Sequence, residues 1–333
     1  MSKINIKSTG INGFGRFALH LFKYWLERAD KAKFQILYIN DDTLTVKDIY
    51  SMISSDRYVK FPKDTIDIDG NCLVLKRSNG QRFKILVTNS KSKQITWLGK
   101  PDIFFECSGK HSKSKMCEPF LFGSTKIVVI SATSYDADST LIYGFNHNSF
   151  KASDKIISYG SCTVNAYVPL AAFIDSQYKI MESDVNVIHN QPQYKLKELE
   201  NCTLIRKSCT LQKSGLNLLR FLNSKNFNVN YTLIPYSGTS IIDLRFKLKN
   251  IPPKDRFLSW LLKEVKTGVL KNLYNIDAID YGPDKYLNST FSAVFIEDKI
   301  KIIGDNLYLF GYFDNENSAN RYYDLIQFLA DNI

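Results

Sequence analysis

The chain has 333 residues, of which 44% are hydrophobic and 13% aromatic, and its formal net charge is +11. This length and apolar content suit two packed domains, and we find neither a signal-peptide pattern nor a long apolar run, so we expect a cytoplasmic protein without a membrane span. The six cysteines and four histidines lack disulfide or metal-ligand spacing. The lysines are dispersed, which favours a solvated basic surface over a nucleic-acid site.

Short β-rich runs alternate with helical segments in the first half of the chain. The run "KINIKSTGINGFG" leads into "RFALHLFKYWLERAD", whose apolar residues recur at helical spacing, and "FQILYIN" is typical of a second strand. Two further apolar runs, "PDIFFECSG" and "TKIVVISAT", end in small or polar residues. The pattern predicts an open, mostly parallel sheet with a ligand crevice at the carboxyl ends of its strands.

The glycines of "NGFGRFA" stand between the first predicted strand and helix, in a GxGxxG-like spacing whose third position is Ala18. Gly13 permits a tight turn, and Gly15 lets the backbone approach a pyrophosphate at the helix N-terminus. Asp41 stands where a ribose-binding acid is expected, and Asp42 beside it favours NAD over NADP by repelling an extra phosphate. The alternative is a glycine turn that binds nothing, followed by a solvated acidic turn.

The sequence changes character after residue 162. An apolar helix, "AYVPLAAFID", precedes longer β-rich stretches, and "SANRYYDLIQFLADNI" has the spacing of a closing surface helix. The predicted fold class is α/β, with a Rossmann-type, mostly parallel sheet domain and an α+β catalytic domain whose sheet is largely antiparallel. We assign residues 1–161 to the dinucleotide-binding domain, with the helix 317–333 packing back on it, and residues 162–316 to the catalytic domain.

Cys162 stands between two hydroxyl residues in "SYGSCTVNAYVPLA", where a strand is predicted to turn into a helix. A helix N-terminus beginning near Thr163 lowers the pKa of a cysteine thiol, and a histidine partner lowers it further. His189, at the end of "DVNVIH", is the candidate partner. A buried packing cysteine is the alternative, because cysteine is among the residues most often buried.

Seven motifs together resemble glyceraldehyde-3-phosphate dehydrogenase, in the family's order and over nearly the whole chain: "INGFGRF", "YIND", "FECSGKH", "KIVVISAT", "YGFNHNSF", "SYGSCTVNAYVPLA" and "FDNEN". The resemblance implies that Cys162 is the nucleophile that attacks an aldehyde and that His189 is the base that activates it. It also implies cofactor contacts for five residues outside the glycine pair: Arg16, Phe17, Asp41, Ser131 and Asn315.

The reaction implied by the resemblance is an NAD-dependent oxidation of glycolysis, in which an aldehyde passes through a thiohemiacetal to a thioester. Ser161 and Thr163 match residues that bind the attacking inorganic phosphate, and both also suit a helix N-cap. The backbone N–H of Cys162 is a candidate oxyanion donor. Family members are homotetramers, and the divergent segment 190–225 lies where their subunits and cofactors meet.

The resemblance breaks at the site for the substrate phosphate. Pro192, Tyr194 and Leu233 replace a threonine, an aspartate and an arginine of the family, and Ala319 replaces a tyrosine that packs by the nicotinamide. The loss of two or three charge-assisted hydrogen bonds weakens phosphate binding by roughly a thousandfold or more. Either other cations rebuild the pocket or the substrate is a different aldehyde. The candidate replacement cations are Lys195, Lys197, Arg206, Lys207 and Lys213.

Three hypotheses follow from the sequence. The first is an NAD-dependent aldehyde dehydrogenase, favoured by the joint retention of Cys162, His189 and Asn315. The second is a non-catalytic or regulatory paralogue that retains the fold and the cofactor pocket, favoured by the changes at the phosphate site. The third, a protein that acts on RNA through the nucleotide groove, has only the basic charge in its favour.

Overall fold

The structure, a computed structural model, describes residues 6–56, 59, 65–77, 79–191, 193–198 and 202–333. The chain divides into two compact units, one formed by Met1–Gly160 with Tyr322–Ile333 and the other by Ser161–Arg321. The roles predicted for the two parts, cofactor binding and catalysis, stay predictions. Within the described ranges, no helix combines the length and the apolar character that crossing a membrane requires.

The first unit is built on a nine-stranded sheet. Its strands are β1 (Lys7–Asn12), β2 (Phe34–Asn40), β3 (Thr65–Asp69), β4 (Cys72–Lys76), β5 (Arg82–Thr88), β6 (Ile103–Glu106), β7 (Ile127–Ile130), β8 (Ser139–Thr140) and β9 (Ile156–Ser158). The strand order is β3-β4-β5-β2-β1-β6-β7-β9-β8. All neighbours are parallel except β3 with β4 and β4 with β5.

The order of this sheet reverses at its centre, because the chain moves from β1 to β2 on one side and reaches β6 on the other. In an open α/β sheet, ligands bind outside the carboxyl ends of the strands at such a point. The helices of the unit are α1 (Arg16–Glu27), α2 (Val46–Ser55) and α3 (Ser114–Cys117). Strands β6 and β7 are buried at every residue, as expected for parallel strands covered on both faces.

The second unit is built on an eight-stranded, mixed sheet. Its helices are α4 (Cys162–Tyr178), α5 (Thr210–Leu218) and α6 (Lys254–Lys266). Its strands are β10 (Ile180–His189), β11 (Ile205–Arg206), β12 (Phe227–Leu233), β13 (Ser240–Leu248), β14 (Tyr274–Asp277), β15 (Ala293–Ile296), β16 (Lys301–Ile303) and β17 (Asn306–Phe313). The order is β11-β12-β10-β13-β17-β15-β14, with β16 on β17. Only β10 with β12 and β14 with β15 are parallel.

The predicted fold class is confirmed by the two sheets, one mostly parallel and one largely antiparallel. The closing helix, α7 (Asn315–Asn332), begins in the second unit and belongs to the first from Tyr322 onwards. The prediction of a surface helix fails in the first half of α7, where the polar side chains of Asn317, Asn320 and Arg321 are also buried. The Tyr322 hydroxyl donates to the carbonyl of Val129 on β7 at 2.7 Å, which fixes this part of α7 to the parallel sheet.

Candidate active site

The turn between β1 and α1 contains the two glycines that the sequence assigned to a nucleotide site. Gly13 has φ of +90°, and a Cβ at this position would lie 2.3 Å from the Cα of Ser108, so that glycine is required. Gly15 is the N-cap of α1, and a Cβ there would meet no described atom within 4 Å. Protein packing therefore does not explain Gly15, whereas a pyrophosphate at the helix N-terminus would.

Asp41 lies just beyond β2 and is largely buried. Its Oδ2 accepts the N–H of Phe14 at 2.8 Å, and its Oδ1 accepts the N–H and hydroxyl of Thr43 and the N–H of Leu44 at 2.7–3.0 Å. Burial raises the pKa of Asp41, but the four hydrogen bonds outweigh it, so that the pKa is lowered. Oδ2, with one donor among the described residues, retains capacity for a ribose hydroxyl.

The adjacent acid, Asp42, forms an ion pair with Lys110 at 2.5 Å, and both side chains are partly exposed. The sequence predicts that both carboxylates repel the extra phosphate of NADP. Because Lys110 offsets the charge of Asp42, any discrimination against NADP depends mainly on Asp41.

A buried polar network joins the carboxyl ends of four neighbouring strands. Thr88 donates to Asn40 at 2.8 Å, Asn40 donates to Asn12 at 2.9 Å, and Asn12 donates to Glu106 at 2.7 Å. Glu106 also accepts the N–H of Ser108 at 2.9 Å. Sequence reasoning missed this network because each member stands on a different strand. The one available signal was a polar residue at the end of each apolar run.

Arg16 and Phe17 open α1, but their side chains are engaged inside the first unit. The Arg16 guanidinium forms an ion pair with Asp56, and the Phe17 ring meets Tyr159 and Tyr322 edge-on at 5.5 Å between centroids. The backbone N–H groups of the first helical turn, which have no intrahelical acceptor, are thus the candidates for pyrophosphate contact.

Ser131 follows β7, and its N–H donates to the carbonyl of Glu106 at 2.9 Å. Gly13, Asp41 and Ser131 follow β1, β2 and β7, which are parallel members of one sheet. The structure therefore brings these three predicted cofactor contacts to the same edge of the sheet.

Cys162 is the first residue of α4, and Ser161 is its N-cap, so that the helix begins one residue earlier than predicted. The Ser161 hydroxyl accepts the N–H of Val164 at 3.3 Å and lies 3.1 Å from the Thr210 hydroxyl. The sulfur of Cys162 lies 3.7 Å from the hydroxyl of Thr163. Cys162 is therefore held at a helix N-terminus, as the sequence suggested.

His189, the last residue of β10, faces this sulfur, with 3.5 Å between its Nε2 and Sγ of Cys162. Its Nδ1 lies 2.8 Å from the carbonyl oxygen of Asn190. Because a carbonyl only accepts, Nδ1 carries a proton, and in the neutral ring Nε2 presents a lone pair to the thiol. The rings of Tyr231 and Phe313 lie 5.5 and 5.7 Å from the imidazole, between centroids.

Burial dominates the protonation of this pair. It raises the pKa of Cys162 to about 12, although hydrogen bonds from Thr163 act in the opposite direction. It also lowers the pKa of His189, although the bond to Asn190 opposes that shift. The predicted lowering of the thiol pKa is therefore wrong for this structure, in which a neutral thiol faces a neutral imidazole at neutral pH.

The two candidate phosphate ligands differ in access. Ser161 is partly exposed, so that its hydroxyl is open to an anion as well as to the helix that it caps. Thr163 is 2% exposed, and its hydroxyl faces the thiol.

The divergent position Leu233 lies directly beside the candidate base, because His189 and Leu233 are partners in the parallel register of β10 and β12. The guanidinium of Arg206 donates to Asn230 at 3.1 Å and to Thr232 at 3.4 Å. Successive side chains of a strand point to opposite faces, so Asn230 and Thr232 lie on the other face from Leu233. Arg206 therefore does not rebuild a phosphate pocket beside His189.

The other divergent positions are less informative. Pro192 lies outside the described residues, and the side chain of Tyr194 does too. Asn315 opens α7 with an exposed side chain, whereas Ala319 is completely buried. The four candidate lysines are all exposed. They are Lys195, Lys197, Lys207 and Lys213.

No family model matches the chain. Individual proteins do match, and they cover nearly its whole length. The chain is 27% identical to glyceraldehyde-3-phosphate dehydrogenase 4 of Caenorhabditis elegans over 99% of both chains. It is 28% identical to the glyceraldehyde-3-phosphate dehydrogenase of Helicobacter pylori and 26% identical to the cytosolic one of Pisum sativum, each over 96% of this chain. These matches confirm the resemblance inferred from the motifs.

Proposed function

Because the chain is a divergent relative of the glyceraldehyde-3-phosphate dehydrogenases, we propose that it oxidises an aldehyde with NAD through a covalent adduct on Cys162. The observation that carries the proposal is the distance of 3.5 Å between Sγ of Cys162 and Nε2 of His189. A nucleophile within reach of a base that a third group orients is the arrangement that covalent catalysis requires. Here the orienting group is the carbonyl of Asn190.

The neutral state of the pair decides how the thiol is activated. His189 takes the proton of Cys162 as the sulfur attacks the aldehyde carbon, so that the C–S bond forms while the carbonyl electron pair moves to oxygen. The N–H groups at the start of α4 stabilise that oxygen, and the imidazolium then protonates it. His189, neutral again, recovers this proton when the thiohemiacetal is oxidised.

When bound, NAD supplies the hydride acceptor that converts the thiohemiacetal to a thioester. The turn of the first unit fits this cofactor, because the space at Gly15 is open and Oδ2 of Asp41 has an acceptor position to spare. The N–H groups of Arg16 and Phe17 would hold the pyrophosphate. The resemblance further assigns Ser131 and Asn315 to the nicotinamide end.

The substrate class follows from the residues near His189. The relatives are named for glyceraldehyde 3-phosphate, whereas the apolar Leu233 stands beside the base and Arg206 is directed to the other face. These two positions favour an aldehyde without a phosphate group. Phosphate or water would then cleave the thioester, with Ser161 available to an anion.

The test is a spectrophotometric assay of NADH formation with purified protein, NAD and a panel of aldehydes that includes glyceraldehyde 3-phosphate, with phosphate or arsenate present or omitted. We expect turnover with at least one aldehyde and complete loss in Cys162→Ser. A matched control is Cys117→Ser, which changes a buried cysteine of the first unit. Turnover that survives Cys162→Ser would overturn the covalent mechanism.

A non-catalytic paralogue is the second candidate, favoured by Leu233 and by the raised pKa of Cys162. It predicts saturable NAD binding, measured by titration calorimetry, with no NADH formation on any aldehyde. We also propose a homotetrameric assembly, as in the family, and a cytoplasmic location. Sedimentation analysis of the purified protein tests the first of them.

A further inference from the structure

The side chain of Asn190, next to the catalytic pair, is engaged through both its oxygen and its nitrogen. It is 8% exposed, and it follows the last residue of β10. Its Oδ1 accepts the hydroxyl of Ser240 at 3.0 Å, and its Nδ2 donates to the carbonyl of Gly238 and to Oδ1 of Asp314 at 3.4 Å. Its backbone N–H donates to the same Ser240 hydroxyl at 3.1 Å.

These bonds tie Asn190 to the ends of two other strands. Ser240 is the first residue of β13, and Asp314 directly follows β17. The strands β10, β13 and β17 are consecutive in the sheet. The amide of Asn190 therefore bridges three neighbouring strands at the edge where His189 stands.

The backbone carbonyl of the same residue accepts the proton of Nδ1 of His189 at 2.8 Å. This bond selects the ring tautomer and directs Nε2 to the sulfur of Cys162. A carbonyl orients an imidazole only if it is itself held in place. The peptide that carries the Asn190 carbonyl is held by the N–H of Gln191, which donates to the carbonyl of Tyr236 at 2.8 Å. The backbone N–H and the side-chain amide of Asn190 hold the residue on the other side of this carbonyl.

We propose that Asn190 is a positioning residue that holds His189 as the base for Cys162, through the clamp formed by Asn190, Ser240, Gly238 and Asp314. The catalytic part of this inference rests on the proposed function. The geometric part is that the side-chain amide of Asn190 controls how Nε2 of His189 meets the thiol of Cys162, and it holds whichever aldehyde is the substrate. A purely structural Asn190 would terminate β10 without affecting the thiol.

The experiment measures the rate at which iodoacetamide alkylates Cys162 at neutral pH, followed peptide by peptide by mass spectrometry because the chain has six free cysteines. We expect His189→Ala to lower this rate by about a hundredfold, the contribution of a general base. Asn190→Ala should lower it by about tenfold, as expected for loss of an orienting group. Ser240→Ala, a milder opening of the clamp, should act in the same direction.

The decisive comparison is a double-mutant cycle. If Asn190 acts through His189, Asn190→Ala added to His189→Ala causes no further loss. An equal loss in both backgrounds, or no loss in the wild-type background, overturns the proposal. Asn320→Ala removes another buried amide of the second unit, one that donates to Thr290, and should leave the rate unchanged.

Alkylation requires neither NAD nor an aldehyde, so the result separates the two proposals. If no aldehyde is oxidised but the two substitutions are non-additive in alkylation, the positioning role of Asn190 is supported and the proposed dehydrogenase activity is rejected. If an aldehyde is oxidised and Asn190→Ala leaves both alkylation and turnover unchanged, the proposed dehydrogenase activity is supported and the positioning role of Asn190 is rejected.

Discussion

The sulfur of Cys162 combines two opposing influences, a helix N-terminus that favours the thiolate and a buried position that disfavours it. Burial prevails and raises the pKa to about 12. Because the pKa of His189 is lowered and its neutral imidazole is the proposed base, we expect the alkylation rate of Cys162 to level off near neutral pH. In His189→Ala the rate should instead rise steadily between pH 6 and pH 9, as the thiolate forms without a base. A steady rise in the wild type would contradict the role of His189. The exposed Cys202 serves as the internal reference in the same digest.

Asp41 provides a second prediction at the level of one residue. Its carboxylate accepts the N–H of Phe14 and has room for a ribose hydroxyl. Asp41→Asn removes a charge-assisted acceptor, so the dissociation constant for NAD should rise by about 10- to 100-fold, as measured by calorimetry. Asp42→Asn is the matched control and should change it much less, because Asp42 already pairs with Lys110. Equal effects of the two substitutions would contradict the assignment of Asp41 as the ribose-binding acid.

The residue types that carry chemistry could be predicted from the sequence, but their protonation could not. Gly13 is informative because the tight turn demands glycine, and Gly15 is informative because a glycine that packing does not require suits a ligand at the helix N-terminus. The pair of Cys162 and His189 could be predicted because a local motif marks the cysteine and the end of a strand marks the histidine. The raised pKa of Cys162 depends on how many atoms surround the sulfur, and no local pattern encodes that number.

At the level of elements, the helix that presents Cys162 depends on its cap. The Ser161 hydroxyl accepts the N–H of Val164. Ser161→Ala should lower the free energy of unfolding of the second unit by about 1 kcal/mol, as for other N-cap serines, measured by urea denaturation with Trp260 as the reporter. Thr45→Ala is the comparison, because it removes a capping box from α2 in the first unit. An unchanged urea midpoint for Ser161→Ala would show that the cap contributes nothing.

The pairing of elements was harder to predict than their existence. Strand β10 lies parallel to β12, so that His189 and Leu233 are neighbours although 43 residues separate them, a segment that includes β11 and α5. The network from Thr88 to Glu106 arises in the same way from strands distant in sequence. Strand periodicity specifies which face a residue takes, but register between distant strands depends on the packing of the whole sheet.

At the level of the whole molecule, the two units should respond to pH in opposite directions. The pKa of Asp41 is lowered in the first unit, so its contribution to stability is present above about pH 4 and is lost on acidification. Burial raises the pKa of Asp314 to about 8 in the second unit, so that unit loses stability as the pH rises from about 4 to 8.

This opposition can be measured, because Trp25 and Trp97 report on the first unit and Trp260 on the second. Single-tryptophan variants denatured with urea at several pH values should give midpoints that shift in opposite directions. Asp314→Asn should reduce the pH dependence of the urea midpoint reported by Trp260 and leave the pH dependence reported by Trp97 unchanged. Parallel shifts at both reporters would contradict the assignment of the two carboxyl groups.

The division of α7 at Tyr322 has a consequence for biosynthesis. The first unit surrounds Tyr322 with the rings of Phe17, Phe105 and Tyr159 and with the carbonyl of Val129. Residues 322–333 are translated after every residue of the second unit. During synthesis, the nascent first unit therefore presents an unfilled aromatic cavity until these last residues are available, and chaperones would be expected to shield it.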